Sequence, residues 1–209
     1  MRSHTHWATG VVAIVALASC IAPPFPEYIF LQHLPTVAVL ALVVFTSKRF
    51  PISGSSLMLL LGFLLLHILG ARYSYSYVPY DDWSARLLGE SISQLAGWSR
   101  NHYDRLVHLC YGLLLAPVAQ EILERYARLP RRASIFFAVE FIMATSMIYE
   151  VAEWLITLLF ASETADAYNG QQGDMWDAQK DMALATAGAL LSAGWMLLRN
   201  SPTKPLSHG

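Results

Sequence analysis

Seven ionisable side chains fall at one level of the apolar segments of this chain: His67, Asp104, His108, Glu150, Glu153, Asp177 and Asp181. Placing such groups in hydrocarbon is costly, roughly 2.5 to 3.5 kcal/mol for Asp, Lys or Arg at a helix centre on insertion scales. Seven at one level therefore point to a site rather than to scattered packing. The spacing adds direction. Asp104 and His108 are four apart, Asp177 and Asp181 four apart, Glu150 and Glu153 three apart, so each pair shares a helix face. Lipid offers these groups no partner, so the faces must turn inward.

Five carboxylates at close range cannot all stay ionised without compensation. Arg105 and Lys180 could neutralise two of them, and a divalent metal would neutralise more while using the imidazoles. Mixed Asp, Glu and His donors suit zinc, manganese or iron. Helical bundles build carboxylate metal sites from paired ligands on facing helices, although the ferritin-like Glu-x-x-His pattern is absent here. The expected ligands are His108, Glu150, Asp177, Asp181 and His67. Glu153 is the expected general base, with Asp104 as a ligand or supporting group and His102 beside it; Tyr73, His102 and Asp174 are placed to orient a substrate.

Plainer readings stand next to these. His67 alone suits a hydrogen-bonded packing histidine. Asp174 suits a helix N-cap, and Asp177 gains from the positive helix start. Asp104 suits a cap or a pair with Arg105. Glu121 and Glu124 read as surface charge among cytoplasmic arginines, and Glu140 as a separate packing contact. Glu150 and Glu153 resist a plain reading, being deep in an apolar run with no basic residue nearby in sequence.

The elements that must carry these residues are helices. The 209 residues are 55% hydrophobic and only 14% charged, against about 25% charged in a soluble domain. Six apolar segments lie at about 7–22, 31–46, 55–70, 103–123, 133–160 and 178–198. A crossing helix needs about 20 residues, so the first two are short and the fifth must tilt or protrude. The expectation is an all-α polytopic transmembrane bundle of about six helices, a single integral membrane domain over 1–209. Arg2, Lys48, Arg49, Arg125, Arg128, Arg131, Arg132, Arg199 and Lys204 all fall on one side of such a bundle. Glu27, Asp81, Asp82, Glu90, Glu163 and Asp166 fall on the other. Both termini are then cytoplasmic. The net charge of -1 by itself says nothing about nucleic acid; the apolar blocks make a lipid bilayer the expected partner, and no nucleic acid is expected.

The start, ending Leu17-Ala18-Ser19-Cys20, reads as an uncleaved first helix with a small-residue end; the alternative is a lipoprotein signal cleaved at a lipidated Cys20. Two cysteines make neither a disulfide framework nor a thiolate metal site. The outer loop 71–102 carries alternating tyrosines and serines, then Trp83 and Trp98. These are interfacial residues, and the loop is expected to lie over the outer surface as a lid, with one short amphipathic helix near Trp83 to Leu95.

Three motifs extend the argument: Asn101-His102-Tyr103-Asp104-Arg105-Leu106-Val107-His108, Tyr149-Glu150-Val151-Ala152-Glu153-Trp154, and Gly170-Gln171-Gln172-Gly173-Asp174-Met175-Trp176-Asp177 running on to Asp181-Met182. Together they resemble the YjdF-like family of bacterial inner-membrane proteins, whose domain is of unknown function. The likeness spans about Leu31 to Leu198, with Gly-Gln-Gln-Gly where the family has Gly-Thr-Gln-Gly. The resemblance implies a multi-pass protein of the bacterial inner membrane and gives weight to these motifs; it implies no particular reaction. From the residues themselves, the expected function is metal-dependent hydrolysis or group transfer on an amphiphilic or lipid-linked substrate at the periplasmic side. The alternative is a proton- or cation-coupled transporter, since acid and histidine chains also relay protons. Against that stand the one-sided level of the cluster and the lack of an inverted repeat.

Overall fold

A computed structural model describes residues 2–159 and 172–199. Phe160, Glu163, Asp166, Gly170, Gln171 and Lys204, which entered the sequence reading, lie outside the described residues. The described residues are helical, with no strand among them. The helices are α1 (Arg2–Ser19), α2 (Pro26–Gln32), α3 (Leu34–Thr46), α4 (Gly54–Arg72), α5 (Tyr80–Leu88), α6 (Ile92–Ala96), α7 (Tyr103–Tyr126), α8 (Arg131–Leu159) and α9 (Asp177–Leu198). Among the described residues, five spans are long and apolar enough to cross a membrane: Pro26–Thr46, Gly54–Arg72, Tyr103–Tyr126, Arg131–Ile156 and Asp177–Leu198. Thr5–Ser19 is a shorter apolar helix. The protein is an all-helical polytopic bundle.

Two elements differ from the sequence expectation. The second span begins earlier, at Pro26, and is jointed at His33, because Pro35 has no N–H to give to a helical carbonyl. The lid holds two short helices instead of one. Gly89, at φ 85°, ends α5 in the left-handed region, and Ser91 then caps α6 by accepting the Gln94 N–H. The Asp81 carboxylate accepts the Ser93 N–H and the Ser84 hydroxyl accepts the Ile92 N–H, folding α6 back onto α5.

Helix α7 is the hub, packed against α9, α8 and α4, while α1 covers α4. One core, formed by Ala116, Ile135, Val139, Ile142, Ala185, Ala189, Ala193 and Met196, binds α7, α8 and α9. A second, around Val12, Val43, Leu57, Leu61 and Leu64, binds α1, α3 and α4. Large apolar side chains such as Phe45, Phe136, Trp154 and Leu191 are exposed, as a lipid-facing surface requires.

The α7–α9 contact is unusually close. A Cβ on Gly112 would lie 1.9 Å from the Ala185 carbonyl oxygen, and one on Gly188 would lie 2.1 Å from that of Leu109. Small residues let transmembrane backbones approach and gain packing that lipid cannot compete with. This crossing draws the outer starts of α7 and α9 together.

The two ends of the bundle are tied differently. At the basic end, Arg125 and Tyr126 donate to the Pro51 carbonyl, and Arg131 donates to the carbonyls of Met196 and Arg199. At the outer end, Arg72 donates to the Ser19 and Ile21 carbonyls, closing the C-terminus of α1.

Glu121 is a correction to the surface reading. It is buried and accepts hydrogen bonds from the Ser53 N–H (2.7 Å), the Ser53 hydroxyl and the Ser56 hydroxyl, with Arg125 3.1 Å away. An anion held at the start of α4 satisfies donors the helix itself leaves unpaired. Glu140 is the opposite case: it is exposed on the flank of α8 rather than packed.

Candidate functional site

The sequence sets the level of the site and the helices set its walls. Asp104 and His108 lie in the first two turns of α7, and Asp181 in the second turn of α9. Helix α8, at 29 residues, is about 43 Å long. It therefore carries Glu150 and Glu153 out to the level where α7 and α9 begin. Three helices thus converge on one region beneath the outer surface.

Asp104, His108 and Asp181 each offer a donor atom, and these atoms lie within 4.8 Å of one another. Glu150 borders the group: its Oε1 is 3.6 Å from His108 Nε2, while Asp104 Oδ1 is 3.7 Å from the same nitrogen. Both distances exceed hydrogen-bond length, so the imidazole faces two carboxylates without bonding either. Asp181 and Glu150 are buried, at 2% and 9% exposure, and Asp181 Oδ1 and Glu150 Oε1 have no hydrogen-bond partner. Buried polar atoms are ordinarily paired. Two orphaned carboxylate oxygens beside an imidazole fit a divalent cation of the zinc, manganese or iron type.

Glu153 sits one turn beyond Glu150 on the same face and is hydrogen-bonded to the Tyr149 side chain; it lies within electrostatic reach of Asp104, Glu150 and Asp181. Tyr149 also sets its ring edge-on to His108, with centroids 5.9 Å apart.

Asp177 is set apart from this group. Arg100 Nη1 is 2.6 Å from its Oδ1 and Nη2 3.2 Å from its Oδ2, while Arg105 Nη2 is 3.1 Å from Oδ1. Its charge is thus already matched by two guanidinium groups. His67 is also set apart. Its Nε2 donates to the Gln32 carbonyl oxygen at 3.1 Å and its Nδ1 meets the Tyr75 hydroxyl, so both ring nitrogens are engaged in joining α4 to α2 and to the lid. That is the packing role the plainer reading allowed.

Asp174 does not cap α9, whose N-cap position is Trp176. Its Oδ1 accepts the Trp176 N–H at 3.1 Å in a turn before the helix, and its Oδ2 meets Arg105 and Lys180, each at 2.5 Å, with Arg100 at 3.6 Å. Lys180 first, then the Trp176 N–H and Arg105, hold this carboxyl well below the usual carboxylate range.

His102 stacks on Trp98 with ring centroids 4.4 Å apart, and its backbone N–H donates to the Tyr80 hydroxyl. Burial, then the charges of Arg105 and Arg100, keep its pKa below the ordinary histidine value. Tyr73 packs edge-on against Trp83 in the lid. Within the lid the Asn101 amide donates to the Val78 carbonyl, and beside it the Tyr103 hydroxyl of α7 donates to the Leu66 carbonyl of α4. Gln172 completes the closure, accepting from the Asn101 N–H and donating to the Asn101 carbonyl.

Sequence reasoning missed Arg100 and the Gly112–Gly188 crossing. Arg100 directly precedes the Asn101-His102 motif, and its adjacency was the available signal. Gly188 stands in a small-residue run, Ala185 to Ala189, which is the usual mark of close helix contact in a membrane, whereas Gly112 lies between Tyr111 and Leu113 without such a mark.

Comparison with known proteins agrees with this architecture. The family pattern described as "Predicted membrane protein (DUF2238)" matches residues 4–201. The chain is similar to the inner membrane protein YjdF of Escherichia coli (strain K12), 35% identical over 157 residues, which cover 75% of this chain and 71% of that one. No solved structure matches. A multi-pass protein of the bacterial inner membrane, carrying Asp104, Glu150 and Asp181 on α7, α8 and α9, this chain belongs to the DUF2238 family.

Proposed function

We propose that the protein is a metal-dependent membrane enzyme whose site opens to the periplasmic side, hydrolysing or transferring a group on an amphiphilic or lipid-linked substrate. The observation that carries this reading is the Asp104–His108–Asp181 donor set, with the unpartnered oxygens of Asp181 and Glu150 beside it. Asp104, His108 and Asp181 are the proposed ligands, with Glu150 completing the set. A bound divalent ion there would supply a Lewis acid for a carbonyl or phosphoryl oxygen. Glu153, on the same face as Glu150, would take the proton of the attacking hydroxyl. Tyr149 would hold Glu153 in position. The buried alanines and paired glycines of the α7–α9 crossing lie deeper along these helices than this level. They favour a pocket entered from one face over a path through the bundle.

The test is elemental analysis of the protein purified in detergent without chelator, beside His108→Ala, Asp181→Asn and Glu150→Gln. Near-stoichiometric zinc, manganese or iron in the parent, lost in His108→Ala and Asp181→Asn, is the expected result. A parent that holds no metal after exposure to each ion would refute it.

A further inference from the structure

Beside the donor set lies a second arrangement with its own chemistry. A single carboxylate oxygen, Asp174 Oδ2, is met by three cations: Arg105 Nη2 and Lys180 Nζ, each at 2.5 Å, and Arg100 Nη1 at 3.6 Å. Asp177 is also ion-paired with both arginines. Three cationic side chains thus converge on this pair of carboxylates. Arg105 Nε, moreover, is buried and has no hydrogen-bond partner, so the guanidinium is only partly used by the two aspartates. Arginine and lysine converging on one oxygen is the geometry that recognises phosphate.

Access and placement agree with a ligand role. Asp174 stands in a turn before α9, outside any helix, and Lys180 is half exposed, so the cradle opens outward. Arg105 follows Asp104 on α7 and Lys180 precedes Asp181 on α9, which puts the cradle at the level of the donor set. Arg105 and Asp181 lie within electrostatic reach of each other.

We propose that Arg100, Arg105 and Lys180 form an anion subsite for a phosphate or diphosphate group, and that the Asp174 carboxylate occupies it in the free protein until the ligand displaces it. The class of substrate is then a phosphorylated amphiphile whose head group enters from the outer surface. The binding claim stands on the cradle alone; its place in a reaction rests on the metal-dependent reading above.

The experiment is calorimetric titration of the full-length protein in detergent with inorganic pyrophosphate and with farnesyl diphosphate. The parent is compared with Asp174→Asn, Arg105→Gln and Lys180→Gln. Removing the internal competitor should tighten binding in Asp174→Asn by about tenfold, and losing a charge-assisted donor should weaken it by about tenfold in Arg105→Gln. Lys180→Gln, at a half-exposed position, repeats the second comparison without burdening the fold. Tighter binding of farnesyl diphosphate than of pyrophosphate identifies a membrane-borne ligand, and equal binding identifies a free one. No binding of either by Asp174→Asn, or equal affinity in the parent and both cation variants, overturns the proposal. Metal content of the same samples separates the two claims: anion binding without metal refutes the metal site alone, and metal without anion binding refutes the subsite alone.

Discussion

Arg100 grips Asp177 at two points, Nη1 to Oδ1 at 2.6 Å and Nη2 to Oδ2 at 3.2 Å, with the aspartate only 3% exposed. This pair fastens the end of the lid to the first turn of α9. Breaking a buried pair from one side leaves the other charge uncompensated, at a cost of about 3 to 5 kcal/mol. Arg100→Met and Asp177→Leu should each lower the melting temperature in detergent strongly. The double variant should cost clearly less than the sum of the two. Additive losses would show that the two residues act independently.

The glycine crossing of α7 and α9 should be sensitive as well, to a smaller degree. Gly112→Ala and Gly188→Ala would force the helices apart, and overpacking of this kind costs about 1 to 3 kcal/mol. Gly62, whose added Cβ would meet nothing within 4 Å, is the control. Thermal unfolding of all three variants reads the result. If the helices separate, metal binding across α7 and α9 should weaken in the first two variants as well.

At the inner face, Glu121→Gln should destabilise the chain by about 1 to 3 kcal/mol, the cost of weakening charge-assisted bonds and leaving buried donors short of an acceptor. The same change at Glu140, which is exposed, should have little effect on unfolding. Equal effects at the two positions would contradict the anchoring role of Glu121.

The pH dependence of the Asp174 cluster has a definite sign. Its folded pKa is depressed, chiefly by Lys180, so its stabilising contribution is complete above the unfolded value and disappears only as pH falls through the folded one. The melting-temperature gap between the parent and Asp174→Asn should therefore stay constant from neutral pH down to about 4, the ordinary carboxylate value, and shrink only below it. A gap that closes between pH 6 and 5 would mean the cations do not hold this carboxylate.

Sequence alone determined the class, the apolar segments and the level of the ionisable groups along them. These follow from quantities local to the chain: hydropathy over a segment and a fixed rise per residue. Tertiary structure decided which of those groups meet. Asp177 and Asp181 share a face by spacing, yet one is taken by Arg100, 77 residues away in sequence, while the other joins Asp104 and His108. His67 lies at the level of the acids but turns to Tyr75 and Gln32. Spacing along a helix sets level and relative angle only. The rotation of each helix about its axis, and the partner it finds there, come from packing between helices, here from the glycine contact that brings α7 against α9.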